Sequence, residues 1–460
     1  MKKSFPVLML LVALVCGSFY SCENGGTKSG SSYNEKSKPA TEFTNKMALT
    51  WVDLMLDQVR VQRIGPPPAA RAMGYLGVAL YESVVHGIPD GHSMAGQLEG
   101  LDKLPVPDNN QEYDWPTVMN SCAYLVCDEG LARYVGPNTV NLVQLHDKMN
   151  HMQDSLVANA EVSARSKQYG KDLANALIEY MKTDMYDYTR ENNIYESPSR
   201  AGDPSHPEYW EPTDIDKTAF EPYFGGLRPL GLDTTELCMQ DPTIPFSQDP
   251  NSEFCKFCEK LYGIDTSFSE YDRITSLYWA DCPVETYTPP GHWLKIAKQH
   301  VRKNNYNLAQ TAELYAYLGM SEYNAAISVW KIKYKTNLLR PKTYISEILK
   351  KTDWEPYLET PPFPEYPSGH SGFSGAAATV LTHYFGEAEF VDSTNLVIGL
   401  YPRKFASFNA AAKEAAYSRM YGGIHYEAAI LDGMTIGSCL ANNLMKKIKL
   451  GSGGTPVAKN

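Results

Sequence analysis

Three short stretches in the last third of the chain carry residue types suited to gripping a small oxyanion. The first runs from Trp330 to Pro341 and contains Lys333 and Arg340. Their separation of seven residues is two helical turns, so a helix persisting to Pro341 presents both cations on one face. Taken alone, such spacing is most often a solvated basic face. The second is Pro361-Pro362-Phe363-Pro364-Glu365-Tyr366-Pro367-Ser368-Gly369-His370, which leads into an apolar run from Ala376 to Leu381. Ser368 is a natural N-cap, Gly369 lets an anion approach the backbone, and the first-turn N–H groups favour negative charge. An ordinary capped helix start reads the same way. The third, Ser418-Arg419-Met420-Tyr421-Gly422-Gly423-Ile424-His425, places a guanidinium and an imidazole six residues apart, with two glycines that allow a sharp bend between them. A guanidinium can hold two oxygens of a tetrahedral anion, and an imidazole can attack or coordinate the central atom. The ordered set is far more specific than any member.

The elements that must position these residues read as helices. After Pro66-Pro67-Pro68, the residues Met73, Leu76, Leu80 and Val84 recur at helical spacing, and Trp115-Pro116 opens a second pattern reaching towards Val135. Further helical patterns cover about 138–157, 160–183, 252–263, 268–280, 292–303 and 307–336, and an apolar helix follows His425 from about Tyr426 to Leu444. Convincing period-2 strands are absent. The expectation is an all-α protein of two adjoining helical bundles. Residues 47–250 form the N-terminal bundle with a long Pro/Tyr-rich loop from about 185, residues 251–450 form the C-terminal bundle with the anion site, and 451–460 are a flexible tail. The loop is too aromatic for a floppy connection, which suggests packing over a cavity or a functional role.

Composition excludes several classes. With 43% hydrophobic and 21% charged residues in 460, the chain is an ordinary globular one. Lysine and arginine number 42 against 53 acidic residues, a net charge of -11, so a broad basic face for nucleic acid is excluded and any anion site is local. Mean hydropathy is -0.36, and no apolar run of about 18 residues occurs beyond the N-terminus, which argues against a polytopic membrane protein. Lys2 and Lys3 precede an apolar stretch from Phe5 to Cys16, followed by Phe19-Tyr20-Ser21-Cys22. This resembles a bacterial lipoprotein signal over 1–21, with Cys22 acylated and 22–46 as a flexible tether. The expected address is the cell envelope, the protein being anchored to a membrane by that lipid, with secretion as the second choice. Of the nine cysteines, Cys255 and Cys258 form a C-x-x-C without the second pair that structural zinc needs, so the cysteines are read as buried or disulfide-bonded.

With all three stretches present in order, the sequence resembles the vanadium-dependent haloperoxidases, which share their anion site with type 2 phosphatidic acid phosphatases and bacterial nonspecific acid phosphatases. Trp279-Ala280-Asp281, Thr288-Pro289-Pro290-Gly291-His292-Trp293 and Pro66-Pro67-Pro68-Ala69-Ala70-Arg71 resemble the bacterial haloperoxidase-like branch, so the likeness spans about residues 47 to 448. It implies that Lys333, Arg340 and Arg419 bind the equatorial oxygens of vanadate or phosphate. Ser368 and the Gly369 amide would add hydrogen bonds, and His370 would sit beside the apical oxygen as acid or base. His425 would bind vanadium or attack phosphorus. By the same resemblance Asp281 orients an active-site arginine and His292 is structural; His146 and His151 are read as surface or packing residues. Phe363, five before Ser368, matches the chloroperoxidase-like pattern, whereas Ala377, seven beyond His370, replaces a bulky aromatic or histidine near the metal.

The implied function is oxidation of halide by hydrogen peroxide at a His-bound vanadate. The alternative is a phosphomonoesterase working through a phosphohistidine on His425. A non-catalytic anion-binding lipoprotein would have lost His370 or His425, and both are present. The lipoprotein reading predicts that Cys22→Ala moves the protein from the membrane to the soluble fraction; an unmodified N-terminus at another residue, found by mass spectrometry, would rule it out.

Overall fold

A computed structural model describes residues 33–451 apart from 136–139, 192–194, 201, 214–217 and 284. Its first helices are α1 (Lys46–Val61), α2 (Pro66–Glu82), α3 (Trp115–Val135), α4 (Val140–Leu156), α5 (Ala160–Lys182) and α6 (Tyr186–Glu191). After a long irregular stretch come α7 (Glu253–Ser267), α8 (Glu270–Tyr278), α9 (Thr288–Lys303), α10 (Leu308–Thr336), α11 (Pro341–Glu347) and α12 (Gly369–Phe385). A short antiparallel ribbon, β1 (Phe390–Asp392) with β2 (Arg403–Phe405), pairs Phe390 with Phe405. The chain continues with α13 (Phe408–Tyr421) and α14 (Glu427–Lys447).

Local chemistry explains most helix ends. Prolines open α2, α9 and α11, where the missing N–H costs nothing. At the start of α10 the Asn307 side chain accepts from the Gln310 amide at 2.9 Å while Gln310 accepts from the Asn307 amide at 3.1 Å, a reciprocal cap. Asn337, at φ 48°, ends the same helix in the left-handed region. Buried along almost its whole length, α10 packs on α2 and also on α12 and α14, so it runs through the centre of the molecule. Small residues set these crossings: a Cβ on Gly437 of α14 would meet the Gly372 carbonyl of α12 at 2.0 Å. Across the N-terminal helices, Arg71 of α2 donates Nε to Asp184 at 2.7 Å, and the Tyr75 hydroxyl donates to the same carboxylate at 3.0 Å.

The helical spans agree with the sequence patterns, and the fold is all-α as expected. The helices α1, α6, α11 and α13 lie outside the expected spans. Trp51, Val52, Met55, Leu56 and Val59 of α1 do recur at helical spacing, whereas α6 and α11 are too short for a pattern and half of the buried positions of α13 are alanine, which gives little periodic contrast. Where a flexible tether is expected through residue 46, residues 34–46 are packed. Asn34 is buried, its amide donates to the His86 carbonyl at 2.8 Å, and its side chain reaches the Gln111 carbonyl at 3.0 Å. The signal segment 1–21, Cys22, the tether up to 32 and the tail from 452 lie outside the described residues.

The Pro/Tyr-rich stretch becomes a strap across the helices that carry the three motifs. The Trp210 amide donates to the Asn337 carbonyl (2.7 Å), the Phe220 amide to the Pro362 carbonyl (2.9 Å), and the Phe220 carbonyl accepts from the Tyr334 hydroxyl (2.7 Å). A disulfide between Cys238 and Cys439 ties the strap to α14, 201 residues further along. Cys122, Cys127, Cys255 and Cys258 are buried and free, while Cys282 is free and exposed. No helix among the described residues is long and apolar enough to cross a membrane.

The Arg71–Asp184 pair is buried on both sides, 4% and 1% exposed. Arg71→Met therefore strands a buried carboxylate and is expected to cost about 3–5 kcal/mol of unfolding free energy in urea titration; an unchanged midpoint would show that the pair does not hold α2 in place.

Candidate active site

The two cations of the first stretch reach their places by different routes. Lys333 lies in the last turn of α10, but that helix stops at Thr336, so the expected single helical face is not formed. The chain turns at Asn337, runs extended, and delivers Arg340 as the residue before α11. The Pro-rich segment then passes beneath both side chains to Ser368, which caps α12. Arg419 is in the last turn of α13, and Gly423, at φ 77°, turns the chain so that His425 comes just ahead of α14.

These routes converge. Lys333, fully buried, donates Nζ to the carbonyls of Pro364 at 2.8 Å and Glu365 at 2.9 Å, leaving its third proton. Arg340 donates Nε to the Phe363 carbonyl and Nη1 to the Ile424 carbonyl, both at 2.9 Å. Arg419 donates Nη1 to the Trp279 carbonyl at 2.9 Å. Burial pushes the Lys333 ammonium well below its ordinary range, with the nearby Arg340 charge adding to the effect. It brings Arg340 and Arg419 down to about 10, where both remain cations at neutral pH.

Arg340 Nη2, Arg419 Nε and His370 Nε2 are buried and have no partner among the described residues. An unsatisfied buried donor costs roughly 1–3 kcal/mol, and a tetrahedral oxyanion such as vanadate or phosphate supplies the acceptors and counter-charge that these atoms lack. The donor set fits such an anion. Ser368 caps α12 as expected, its hydroxyl oxygen accepting from the Ser371 amide at 3.4 Å and keeping its own proton to donate, while its amide donates to the Ala429 carbonyl at 3.0 Å. Gly369 opens α12, where first-turn amides have no intrahelical partner.

The two histidines are poised differently. His425 Nδ1 lies 2.8 Å from Glu365 Oε1, an oxygen that also accepts from the Tyr426 amide at 2.9 Å. Its Nε2 lies 3.2 Å from Arg340 Nη1. Arginine can only donate and the carboxylate only accept, so the proton belongs on Nδ1 and the Nε2 lone pair points at the cations. Burial, then the charge of Arg340, holds His425 well below the ordinary histidine range, and burial with Arg419 does the same for His370. Glu365 is pushed up to about 7 by burial, a rise restrained by Arg340 and Lys333. Sequence reading passed over Glu365, although an acid within a run of prolines and aromatics was a usable signal.

One wall is aromatic. Phe363 packs on Trp330 (5.2 Å between ring centres) and on Phe220 of the strap (6.4 Å), with Lys333 Nζ 4.9 Å above its ring. Ala377 bears on the site less than expected. Seven residues along α12 from His370 is about 10 Å of axial rise, and Ala377 is buried in the core.

Behind Arg419 lies a second buried cluster. His292 Nδ1 is 2.9 and 3.1 Å from the two oxygens of Asp281, and its Nε2 is 2.7 Å from Asp392 Oδ2. Both Asp281 oxygens thus face His292, whereas Arg419 is held by the Trp279 carbonyl. The expectation that Asp281 orients an arginine directly is corrected accordingly: Asp281 adds its charge to the surroundings of Arg419 but gives its contacts to the imidazole. His146 stacks on Tyr124 at 4.2 Å, and His151 is exposed; neither faces the cations.

The chain's relatives share this fold. The family described as VCPO second helical-bundle domain matches residues 313–451. A crystal structure described as that of the first bacterial vanadium-dependent iodoperoxidase superposes with a TM-score of 0.80 at 33% identity, over 89% of this chain and 98% of that one. The chain belongs to the vanadium-dependent haloperoxidase superfamily. The vanadium chloroperoxidase of Curvularia inaequalis is 22% identical over 407 residues, 75% of this chain and 66% of that protein's length. A holo-type bacterial vanadium-dependent chloroperoxidase shares the fold at a TM-score of 0.62 and 13% identity, over 84% and 92% of the two chains. As a haloperoxidase-superfamily member this is an enzyme whose relatives imply a vanadate cofactor.

The buried cluster of this haloperoxidase-superfamily protein gives a pH signature. His292 is raised to about 10 by Asp281 and Asp392 against the effect of burial, and Asp392 is lowered chiefly by the His292 charge. A raised histidine stabilises fully below its unfolded value near 6.5 and loses that contribution as pH rises through about 10. A lowered aspartate stabilises above its unfolded 3.8 and loses that contribution on acidification. The excess unfolding free energy of native protein over His292→Ala should therefore peak between about pH 4 and 6.5 and shrink towards pH 10; a difference that stays flat to pH 10 would contradict a charged His292.

Proposed function

We propose that the protein is a vanadium-dependent haloperoxidase that holds orthovanadate in this site and uses hydrogen peroxide to oxidise halide, iodide foremost. The observation that carries the reading is the pair of unpartnered buried donors on Arg340 and Arg419, beside the unpartnered His370 Nε2 and gathered around His425 with its Nε2 lone pair turned inward. Bound there, vanadate supplies the activation of peroxide towards halide. The choice of iodide rests on the 33% identity to the iodoperoxidase.

The protein's own groups divide the remaining work. Lys333, Arg340 and Arg419 bind the anion's oxygens and set a fixed positive field that needs no reorganisation during turnover. Glu365 keeps the proton on His425 Nδ1, so that Nε2 stays available to the central atom. His370, neutral at pH 7 because of its burial, can take a proton at Nε2 from peroxide and return it to a leaving oxygen. Halide, peroxide and one proton yield hypohalous acid and water: the proton that His370 takes from peroxide is returned to the leaving oxygen, and the one further proton consumed per cycle comes from solvent water. Phe363, Trp330 and Phe220 shield one side of the cationic cluster from water.

The test compares purified protein with and without orthovanadate for peroxide-dependent iodide and bromide oxidation, and without vanadate for hydrolysis of p-nitrophenyl phosphate. Vanadate-dependent iodide oxidation is expected. His425→Ala should abolish both tight vanadate retention and turnover, whereas His370→Ala should keep anion binding and lose about 10²- to 10⁴-fold in turnover. Phosphate-ester hydrolysis with no halide oxidation would replace this reading by the phosphomonoesterase one, and undiminished turnover in His425→Ala would remove both.

A further inference from the structure

We propose that His292 is a positioning residue for the anion site, acting through the turn at Trp279–Asp281 to hold Arg419 and His370 in place; the proposal rests on the haloperoxidase reading above. The bonding pattern supplies the first argument. Each nitrogen of the His292 ring faces a carboxylate, Nδ1 facing Asp281 and Nε2 facing Asp392. A neutral imidazole has one N–H, which would leave one nitrogen lone pair against a carboxylate oxygen, so only the doubly protonated ring satisfies both contacts. Because His292 is fully buried in the first turn of α9, it is a fixed ionic bolt between that helix, the 279–281 turn and the end of β1.

The second argument is what the turn carries. Asp281 sits at φ 47°, in the left-handed region that aspartate enters more readily than most residues. The contacts from His292 Nδ1 to both Asp281 oxygens fix its side chain, and with it the turn, in that arrangement. Two residues earlier the Trp279 carbonyl accepts from Arg419 Nη1 at 2.9 Å, and the backbone of Ala280 and Trp279 lies against the His370 ring, favouring its protonated form against the effect of burial. The Trp279 indole lies flat on the His292 imidazole, ring centres 4.5 Å apart and 19° from parallel, while its Nε1 donates to Glu414 at 3.0 Å. One short turn thus faces His292 on one side and two site residues on the other. From the imidazolium to Arg419 the path is two hydrogen bonds and three residues of backbone.

The Asp392 side has a different job. Asp392 also accepts from the Tyr278 hydroxyl at 2.8 Å and from the Thr394 amide at 2.9 Å, so it fastens the 390–394 segment to α8 and α9 without touching the turn that carries Arg419. This asymmetry makes the proposal testable. Asparagine can place its amide nitrogen near the position of histidine Nδ1, and glutamine near that of Nε2. His292→Asn therefore keeps a donor towards Asp281 and loses the one towards Asp392; His292→Gln does the reverse. Each variant gives up one buried contact, so a purely structural role predicts similar losses from both.

The experiment measures the affinity of native protein, His292→Asn and His292→Gln for orthovanadate and for inorganic phosphate by isothermal titration. In parallel, the ring resonances of His370 are recorded in ¹⁵N-histidine-labelled, anion-free protein. Expected are a roughly 10- to 100-fold loss of affinity in His292→Gln, the range for removing an outer partner of a ligand set, and a change of only a few-fold in His292→Asn. The His370 signals should move in His292→Gln and stay in His292→Asn, and the glutamine change should have no further effect on phosphate affinity when Arg419→Ala is already present. Equal losses in both variants, or none in His292→Gln, would overturn the proposal. Native protein that binds neither anion would end the haloperoxidase reading instead, and the His370 signals would still decide the positioning role.

Discussion

Everything in the C-terminal helices is arranged around the difficulty of burying three cations together. Lys333, Arg340 and Arg419 lie where water does not screen their repulsion; Glu365 is the carboxylate that acts on Lys333 and Arg340, and Asp281 the one that acts on Arg419. Carbonyl oxygens make up the shortfall. Those used are Phe363, Pro364, Glu365, Ile424 and Trp279, and every one belongs to a turn or extended segment. A carbonyl within a helix is already committed to the amide four residues on. The prolines from 361 to 367 thus have a physical purpose beyond punctuation: by keeping that segment out of a helix they leave its oxygens free to solvate lysine and arginine.

The same constraint explains the division between helix and loop elsewhere. Rigid helices bring the motifs together, with glycines at the α12–α14 crossing allowing backbones to touch, while each charged or imidazole group is delivered at or near a helix end. Lys333 and Arg419 occupy final turns, Arg340 and Ser368 precede first turns, and His425 lies just outside α14. The strap closes the arrangement from outside, its Phe220 lying against Phe363.

Much of this was legible in the amino-acid sequence because residue type and spacing carried it. Lys333, Arg340, His370, Arg419 and His425 announce themselves by chemistry and order, α12 by its serine cap, and α10 and α14 by their apolar runs. What escaped depended on contacts between distant positions. Asp392 meets His292 across 100 residues, and no local pattern marks that pairing. Glu365 looked like a polar interruption among prolines until its contact with His425 gave it a role. The helix expected to persist to Pro341 was ended by Asn337 in a left-handed conformation, which asparagine adopts easily but does not demand. Residues 34–46 have the composition of a tether, and what fastens them is a set of distant contacts: Asn34 to three backbone groups, Ser37 to Tyr113, Lys38 to Trp115 and Phe43 to Leu308.

The strap also bears on how the molecule is made. Several residues of the strap, Trp210, Phe220 and Cys238 among them, find their seats on elements synthesised much later, including the 361–367 segment and α14, to which Cys238 is joined through Cys439. Contacts of such long sequence separation form slowly, after the entropy of closing a large loop has been met. During translation the aromatic strap must therefore wait, exposed, while more than a hundred further residues emerge. The cationic centre likewise cannot exist in a partly made chain, since His425 and the turn before it are among the last parts to arrive. A nascent polypeptide is thereby incapable of assembling the cationic cluster before its surroundings are complete.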